Sequence, residues 1–230
     1  RSVPGRRGGR SRESRRWRRE RFDRIMREDI RDLEAVRDIQ TLSLFIDCLR
    51  ERVGSQVTLS NIAIDLQIAP KTAKSWLNVI EKMYLAFPVY PLTKQIPRAI
   101  QKPPKIYFYD NADCEDDKSI RLENLVATHL IKRLHFLEDY HGYRCQLHYI
   151  RDKDGREVDF VTVVDNKIQD LIEVKLSDTD ISTSLKYYKQ KLNPKNTIQI
   201  VANCKRPFDN NGIRVCNPLD YFINPPWDIK

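Results

Sequence analysis

Two carboxylates and a lysine in neighbouring segments are the residues of this chain whose types and spacing best suit chemistry. The segment GREVDFV at residues 155–161 contains Asp159, and the segment LIEVK at residues 171–175 contains Glu173 and Lys175. Carboxylates that face each other across two strands repel, so a compensating charge is needed. Mg²⁺ suits this role because it takes carboxylate oxygens and keeps water ligands for chemistry. The lysine could then orient a water molecule or stabilise charge that develops on a phosphate.

A β-hairpin is the element that must position these side chains. The alternation of residue types predicts a strand over residues 157–164 and a second strand over residues 168–176. If residues 165–167 form the connection, the two carboxylates lie opposite each other and the lysine shares their face. A surface salt-bridge cluster neutralised by the lysine alone is the alternative. The apolar neighbours favour a strand pair covered on both faces, where charges need a reason. They are Phe160, Val161, Ile172 and Val174.

A fourth charged group belongs to the helix predicted before the hairpin. Leucine and valine residues recur at three- and four-residue steps and predict an amphipathic helix over residues 119–137. Glu123 lies on its buried side, since the residues three, four and seven positions later are apolar. The alternative for Glu123 is a first-turn glutamate that the helix dipole stabilises.

The order of these elements resembles the core of the PD-(D/E)XK nucleases: a helix with Glu, a strand with Asp, and a strand with Glu-x-Lys. The resemblance implies a mixed sheet flanked by helices. It also implies that Glu123, Asp159 and Glu173 are ligands of Mg²⁺ or Mn²⁺. Catalysis would be carried by Lys175 together with Asp159 and Glu173. The remaining core elements are predicted as a helix over residues 181–192 and a strand over residues 197–202.

Two helices before this core have the pattern of a helix-turn-helix. Ser60 can cap the first helix, and Pro70 fits the first turn of the second, where its missing N–H costs nothing. The second helix buries an apolar stripe and offers a basic, hydrogen-bonding face. The predicted DNA-binding residues on this face are Lys71, Lys74, Ser75 and Asn78. Protein contacts or ordinary solvation of an exposed helix face are the alternatives.

A wing is predicted after the second helix. It would consist of the strand over residues 85–92 and the long proline-rich loop over residues 93–104. Wings commonly rest on phosphates, so Arg98, Lys102 and Lys105 are expected to support DNA binding there.

The net charge of +9 is concentrated at the start of the chain. Residues 1–21 hold ten arginines and two glutamates, so this segment carries +8 and the other 209 residues carry +1. Residues 1–16 are rich in Arg, Gly and Ser without apolar periodicity, which predicts disorder. The chain does not begin with Met, and we expect it to be a fragment of a longer protein.

The run of motifs as a whole resembles the C-terminal domain-of-unknown-function family of bacterial and archaeal AAA-type ATP-binding proteins. The resemblance covers the chain from about residue 17 to its end. It rests on WRRER (17–21), REDIRDL (27–33), WLNVIEKMYL (76–85), PKIYFYD (104–110), LENLV (122–126) and the two hairpin segments. The family implies a preceding ATPase module. No Gly-x-x-x-x-Gly-Lys-Ser/Thr loop occurs in the sequence, so we expect no ATP site in this chain.

Two functions from different classes follow from these patterns. The first is a Mg²⁺-dependent phosphodiesterase that acts on DNA. The second is a noncatalytic DNA- or protein-binding module that works with a separate or lost ATPase domain or with another copy of itself. The predicted domains are a disordered segment at residues 1–16, a helical winged-helix domain at residues 17–105 and a nuclease-like domain at residues 106–230.

Composition sets the expected compartment. No apolar run is long enough to span a bilayer, and no signal-peptide pattern is present. The five cysteines are an odd number without a Cys-x-x-Cys pair, which predicts reduced thiols. We therefore expect a soluble cytoplasmic protein that has no membrane partner.

Overall fold

The computed structural model describes residues 38–93, 102–177 and 180–223, together with isolated positions before residue 38. Its helices are Ile39–Arg50 (α1), Leu59–Asp65 (α2), Pro70–Lys82 (α3), Lys118–His141 (α4), Thr183–Leu192 (α5) and Pro218–Ile223 (α6). Its strands are Ala86–Pro91 (β1), Lys105–Phe108 (β2), Cys145–Arg151 (β3), Glu157–Val164 (β4), Lys167–Lys175 (β5), Asn196–Val201 (β6), Phe208–Asn210 (β7) and Ile213–Cys216 (β8). This mixture of helices and a mixed sheet confirms the expected fold class. None of the described helices is long and apolar enough to cross a membrane.

The first of two compact units comprises the described residues up to Leu49 together with Leu59–Ile80. Its core is built by the apolar stripes of α1, α2 and α3, where the rings of Phe45 and Trp76 meet edge to face at 5.8 Å. Helix α3 begins at Pro70, as predicted. Ser60 lies inside α2 and not before it, so our prediction of Ser60 as the N-cap was wrong.

The second unit comprises Arg50–Thr58 and Glu81–Lys230. Its described strands form one sheet in the order β2-β1-β3-β4-β5-β6-β8-β7. The pairs β1–β3, β5–β6 and β6–β8 are parallel, and the other neighbours are antiparallel. Parallel neighbours need a crossover connection, which α5 provides between β5 and β6.

The pairing of β4 with β5 has the predicted register at its centre. Phe160 pairs with Ile172 and Val161 with Leu171. All four side chains are buried, as expected for a strand pair covered on both faces. One residue further along, the same register places Asp159 beside the end of β5.

The connection between β4 and β5 differs from the predicted three-residue loop. Asp165 and Asn166 form a two-residue turn with positive φ values of 47° and 63°, and Lys167 already pairs with Val164. Asn and Asp tolerate this conformation, which fits the twist of a hairpin. An irregularity in the pairing after Thr162 shifts the register by one residue, so the shorter turn still leads to the predicted pairing near the site.

Strand β1 is not a separate wing. It pairs antiparallel with β2 and parallel with β3, where Tyr90 and Pro91 lie beside His148 and Tyr149. The strand that we predicted as part of a wing therefore belongs to the eight-stranded sheet. Both β1 and β2 lie in the second compact unit, whereas we had assigned residues 86–91 and Lys105 to the first domain.

Helix α4 is the long helix of the second unit and is tied to β2. Asp117 caps it by accepting hydrogen bonds from the N–H groups of Ser119 and Ile120. The buried side chain of Asn124 accepts from the N–H of Phe108 at 2.8 Å and donates to its carbonyl at 2.9 Å. Because these bonds fix the first turns of α4 against β2, side chains of both elements can meet in one site.

Several predictions fall on parts of the chain that the structure describes only sparsely. Within the predicted disordered segment 1–16, the described residues Glu13 and Arg16 are helical. Trp17 is also helical. Arg98 and most of the predicted wing loop lie outside the described residues. All five cysteines are described and are free thiols.

Candidate functional site

Four elements of the second unit bring the candidate residues together. Strand β2 supplies Lys105 and Tyr107, and the start of α4 supplies Glu123. Strand β4 supplies Glu157 and Asp159, and the end of β5 supplies Glu173 and Lys175. On each strand the paired residues are two positions apart, so their side chains point to the same face.

Lys105 lies at the centre of three carboxylates. Its side chain is only 3% exposed. Its Nζ is 2.6 Å from Glu157 Oε1, 3.4 Å from Glu123 Oε1 and 3.7 Å from Asp159 Oδ1. Burial alone lowers the pKa of Lys105, but the three carboxylates outweigh it and raise the pKa above its ordinary value. The predicted contact of Lys105 with phosphates was therefore wrong, because the side chain has no access to a ligand of that size.

Glu123 is held on several sides. Its Oε1 accepts a hydrogen bond of 2.7 Å from the hydroxyl of Tyr107 in addition to the contact with Lys105. Gly54 packs against the same carboxylate, and a Cβ at that position would lie 3.1 Å from Oε1 and 3.2 Å from Oε2. Glu123 thus lies on the side of the helix that packs against protein, as predicted, with its side chain 22% exposed.

Asp159 is anchored by the backbone of the neighbouring strand. The N–H of Val174 donates to Asp159 Oδ2 at 2.8 Å. Burial, together with the negative charges of Glu123 and Glu173, raises the pKa of Asp159 well above its ordinary value, against the opposing effect of Lys105. The ionised form of this carboxylate is therefore costly unless a further cation approaches it.

Glu173 has an unsatisfied oxygen. Its Oε2 is buried, and no described residue forms a hydrogen bond with it. Burial raises the pKa of Glu173 to about 7, although the ammonium of Lys175 and a hydrogen bond from Ser182 oppose this shift. A buried acceptor of this kind is unusual in folded proteins and points to a proton or a ligand as its partner.

Lys175 lies at the rim of the site. It is partly exposed, and its Nζ is 3.4 Å from the carbonyl oxygen of Asp180. Its charge acts on Glu173, as the effect on the pKa of that carboxyl indicates. The lysine is thus the only cation of the cluster, among the described residues, that is placed next to Glu173 and also reaches solvent.

The described charges of the site do not balance. Glu123, Glu157, Asp159 and Glu173 are four carboxylates. They face the ammonium groups of Lys105 and Lys175, and Glu157 also pairs with the guanidinium of Arg151 at 2.9 Å. The carboxylates therefore outnumber the cations by one.

The centre of this cluster is occupied by the ammonium of Lys105. No group of three or more His, Cys, Asp or Glu side chains within the described residues is arranged to hold a metal ion. The predicted trio of Glu123, Asp159 and Glu173 has the ammonium of Lys105 among its carboxylates. Asp159 and Glu173 nevertheless provide the donor set with which Mg²⁺ is often bound, one or two carboxylates and several waters. The predicted metal site stays a prediction.

The predicted DNA-binding residues lie on the accessible side of α3. Lys71, Lys74 and Asn78 are exposed, and Ser75 is half-buried. The opposite side of the helix is buried in the first unit, as the pattern of apolar residues predicted. Lys102 is exposed, and Arg98 lies outside the described residues.

Sequence reasoning missed the residues that surround the predicted carboxylates. Lys105 and Tyr107 were not assigned to the site, and neither were Glu157 and Gly54. The motif PKIYFYD contained one signal: Lys105 and Tyr107 alternate with apolar residues, so both must face one side of a strand. Their contact with Glu123 depends on the pairing of distant strands, which local patterns do not encode.

Comparisons with known proteins identify two regions of the chain. Residues 7–112 match the family described as Domain of unknown function (DUF8612), and residues 120–221 match the Domain of unknown function (DUF4143). No curated protein and no solved structure matches the chain significantly. Lys105 and Tyr107 lie in the first matched region, and the predicted metal-binding and catalytic residues lie in the second. Residues from both matched regions thus contribute to one carboxylate cluster.

Proposed function

We propose that this protein is a DNA-binding phosphodiesterase that uses Mg²⁺ or Mn²⁺ at the edge of the cluster formed by Asp159, Glu173 and Lys175. The observation that carries the proposal is the buried, unsatisfied Oε2 of Glu173. An unpaired buried acceptor costs roughly 1–3 kcal/mol of stability. Proteins retain such atoms where a ligand uses them.

The electrostatics of Asp159 and Glu173 support a cation at this position. The pKa values of both carboxyls are raised, so a proton and a metal ion compete for the same oxygens at neutral pH. The excess of carboxylates over cations leaves an attractive field for a divalent ion. This excess already includes the charge of Lys105, which contacts Glu123, Glu157 and Asp159.

Each residue has a distinct role in the proposed reaction. A bound divalent ion supplies a Lewis acid that activates water and neutralises phosphate charge. Asp159 keeps one oxygen directed by the N–H of Val174, which fixes the orientation of its carboxylate. Glu173 offers its unsatisfied oxygen. Lys175, at the rim, is placed to orient the attacking water or to stabilise negative charge on the phosphate.

The exposed face of α3 supports DNA as the substrate. Lys71, Lys74 and Asn78 combine positive charge with hydrogen-bonding capacity on one accessible helix face. Cations of this kind contact phosphates without reading sequence, and their contribution falls as salt concentration rises.

Cleavage of DNA is the direct test of the proposal. Supercoiled, linear and branched DNA would be incubated with Mg²⁺ or Mn²⁺ and with the wild type, Asp159→Asn, Glu173→Gln or Lys175→Met. We expect cutting by the wild type and a loss of at least about 100-fold in each variant, typical of groups that act in the transition state. Asp154→Asn, a change at an exposed carboxylate of the turn before β4, serves as a matched control. Cutting that survives Asp159→Asn would contradict the proposal.

Binding to DNA is tested separately at α3. Fluorescence anisotropy at several salt concentrations would compare the wild type with Lys71→Ala/Lys74→Ala. The double variant should bind more weakly. The slope of log K against log salt concentration should fall by the amount expected for the loss of about two phosphate contacts. Lys186→Ala/Lys189→Ala on α5 provides a charge-matched control. Equal losses in both double variants would mean that α3 is not the contact surface.

A noncatalytic binding module is the second candidate function. It is favoured by Lys105, which satisfies three of the carboxylates without any metal. In this case the cluster is part of the structural core, and the module would act through DNA or through a partner such as a separate ATPase domain or a second copy. Metal-dependent melting separates the two candidates, because an ion that binds only the folded state raises the melting temperature. The module predicts no shift with Mn²⁺ and no cleavage.

A further inference from the structure

Lys105 is the most completely enclosed positive charge in the described part of the second unit. Its ammonium contacts oxygens from α4 and from β4, and it lies 5.6 Å from the centre of the Tyr149 ring. A lysine with 3% exposure cannot reach a substrate without a rearrangement of these contacts. Its role must therefore be exerted through the side chains around it.

The oxygens of Glu123 and Glu157 are engaged by protein groups. Glu123 Oε1 accepts from both Tyr107 and Lys105, and Gly54 lies close to the same carboxylate. Glu157 contacts Lys105 through Oε1 and Arg151 through Oε2. Each of these glutamates is thus shared between two donors, and a metal ion bound to either would be repelled by the nearby ammonium of Lys105.

Asp159 and Glu173 are in a different situation. Lys105 is 3.7 Å from Asp159 Oδ1, a distance that leaves the oxygen only weakly engaged. Glu173 Oε2 lacks a partner among the described residues. Among the described contacts, Glu173 is thus the carboxylate that Lys105 does not reach, and Asp159 is the one that it contacts at the longest distance.

We propose that Lys105 is a positioning residue of this site, a built-in cation that holds Glu123 and Glu157 away from the metal and leaves Asp159 and Glu173 as its two protein ligands. The inference rests on the proposed metal-dependent function. It reassigns Glu123, which the nuclease-like motif made a metal ligand, to the support of Lys105.

This assignment explains why Tyr107 accompanies Lys105 on β2. The tyrosine hydroxyl directs Glu123 Oε1 towards the ammonium, and its ring packs against Phe160 of β4 at a centroid distance of 5.4 Å. Together the two residues fix α4 and β4 relative to each other. The residues that keep Glu123 away from the metal therefore belong to β2. This strand lies outside residues 120–221, the matched region that contains the nuclease-like motif.

Binding of Mn²⁺ to the full chain, measured by electron paramagnetic resonance, tests the number of ligands. Glu123→Gln keeps the shape of the side chain and should change the dissociation constant less than 3-fold. Asp159→Asn and Glu173→Gln should each weaken binding at least 10-fold. A loss in Glu123→Gln as large as that in Asp159→Asn would overturn the assignment and restore Glu123 as a ligand.

The ammonium of Lys105 can be observed without any metal. In a ¹⁵N NMR spectrum of lysine side chains, a buried, paired ammonium gives a slowly exchanging signal. This signal should vanish in Lys105→Arg, persist in Lys175→Arg and shift in Glu123→Gln and Glu157→Gln. Absence of the signal from the folded wild type would overturn the role of Lys105.

The two measurements separate the possible failures. If the wild type binds no Mn²⁺ while the ammonium signal behaves as expected, the proposed metal-dependent function and the two-ligand site fail, and Lys105 is a structural cation only. If Mn²⁺ binds but all three carboxylate variants weaken it equally, the function stands and the positioning role fails.

Discussion

The two ends of the carboxylate cluster differ in how their charges are satisfied. Around Lys105, the carboxylates of Glu123 and Glu157 are each paired with more than one protein donor. Around Glu173, on the neighbouring strand, a buried oxygen has no partner among the described residues. The same sheet therefore carries carboxylates that are paired with protein donors and, on the neighbouring strand, a carboxylate oxygen that is not.

This difference indicates which charges maintain the fold and which are available to a ligand. A buried charge whose partner is removed is strongly destabilising, whereas a charge at the solvent boundary is screened. Resemblance to a catalytic motif does not make this distinction, because it implies that Glu123 and Glu173 are both metal ligands. The contacts of each carboxylate oxygen show which charges maintain the fold and which are available to a ligand.

The largest expected effect comes from removing the two lysines in turn. Lys105→Met leaves three carboxylates without their shared cation and should lower the free energy of unfolding by about 3–5 kcal/mol. Lys175→Met, the same substitution at the rim, should lower it by no more than about 1 kcal/mol. Urea denaturation of both variants measures the difference. Equal losses would mean that the two ends of the cluster are not distinct.

A smaller effect is expected from a methyl group placed against Glu123. Gly54 has φ of 72°, which disfavours alanine, and its added Cβ would press on a carboxylate that Tyr107 and Lys105 hold in place. Gly54→Ala should therefore destabilise the protein by about 2–3 kcal/mol.

Gly142 is the matched control for this substitution. It has φ of 73° at the end of α4, and a Cβ there would have no neighbour within 4 Å. Gly142→Ala should cost about 1 kcal/mol from backbone strain alone. If both variants lose the same stability by thermal denaturation, the space around Glu123 is not restrictive and the paired end of the cluster is less rigid than its contacts indicate.

The smallest effect is a pH dependence at the unpaired end. The pKa of Glu173 is raised to about 7, so the folded state binds this proton more tightly than the unfolded chain does. The stability that it contributes is present below the pKa of an unfolded glutamate and is lost as pH rises through about 7. Glu173→Gln should remove about 1 kcal/mol of this dependence between pH 5 and pH 8, a figure reduced for solvent screening. Identical pH profiles of the two proteins, measured by urea denaturation, would contradict the assignment.

The local parts of the site were predictable from the sequence. Alternation and the apolar setting gave strands β4 and β5, and their central register followed from counting residues. The three-residue loop was wrong, yet a compensating irregularity in the pairing kept Asp159 and Glu173 near each other. Local side-chain patterns carry this information because hairpin neighbours are close in sequence.

The non-local parts of the site were not predictable. Lys105 resembled a wing lysine because it follows a proline-rich segment in a basic region. Its burial depends on β1 pairing with β3, and these strands are about 50 residues apart in sequence. No periodic pattern reports such a pairing. The two matched regions do not indicate the contact between Lys105 and Glu123 either, since β2 lies in the first region and most of α4 in the second.

The parallel pairing of β1 with β3 also governs the order in which the chain can mature during synthesis. At 5–20 residues per second, roughly 3–10 s separate the emergence of β1 from that of β3. During this interval the newly made β1–β2 segment has apolar side chains and only part of its final sheet partners. A nascent chain in this state favours association with chaperones or with itself, and non-local parallel pairing is intrinsically slow. Lys105 is synthesised before the carboxylates that surround it. Its contacts with Glu157 and Asp159 form only after β4 has been made.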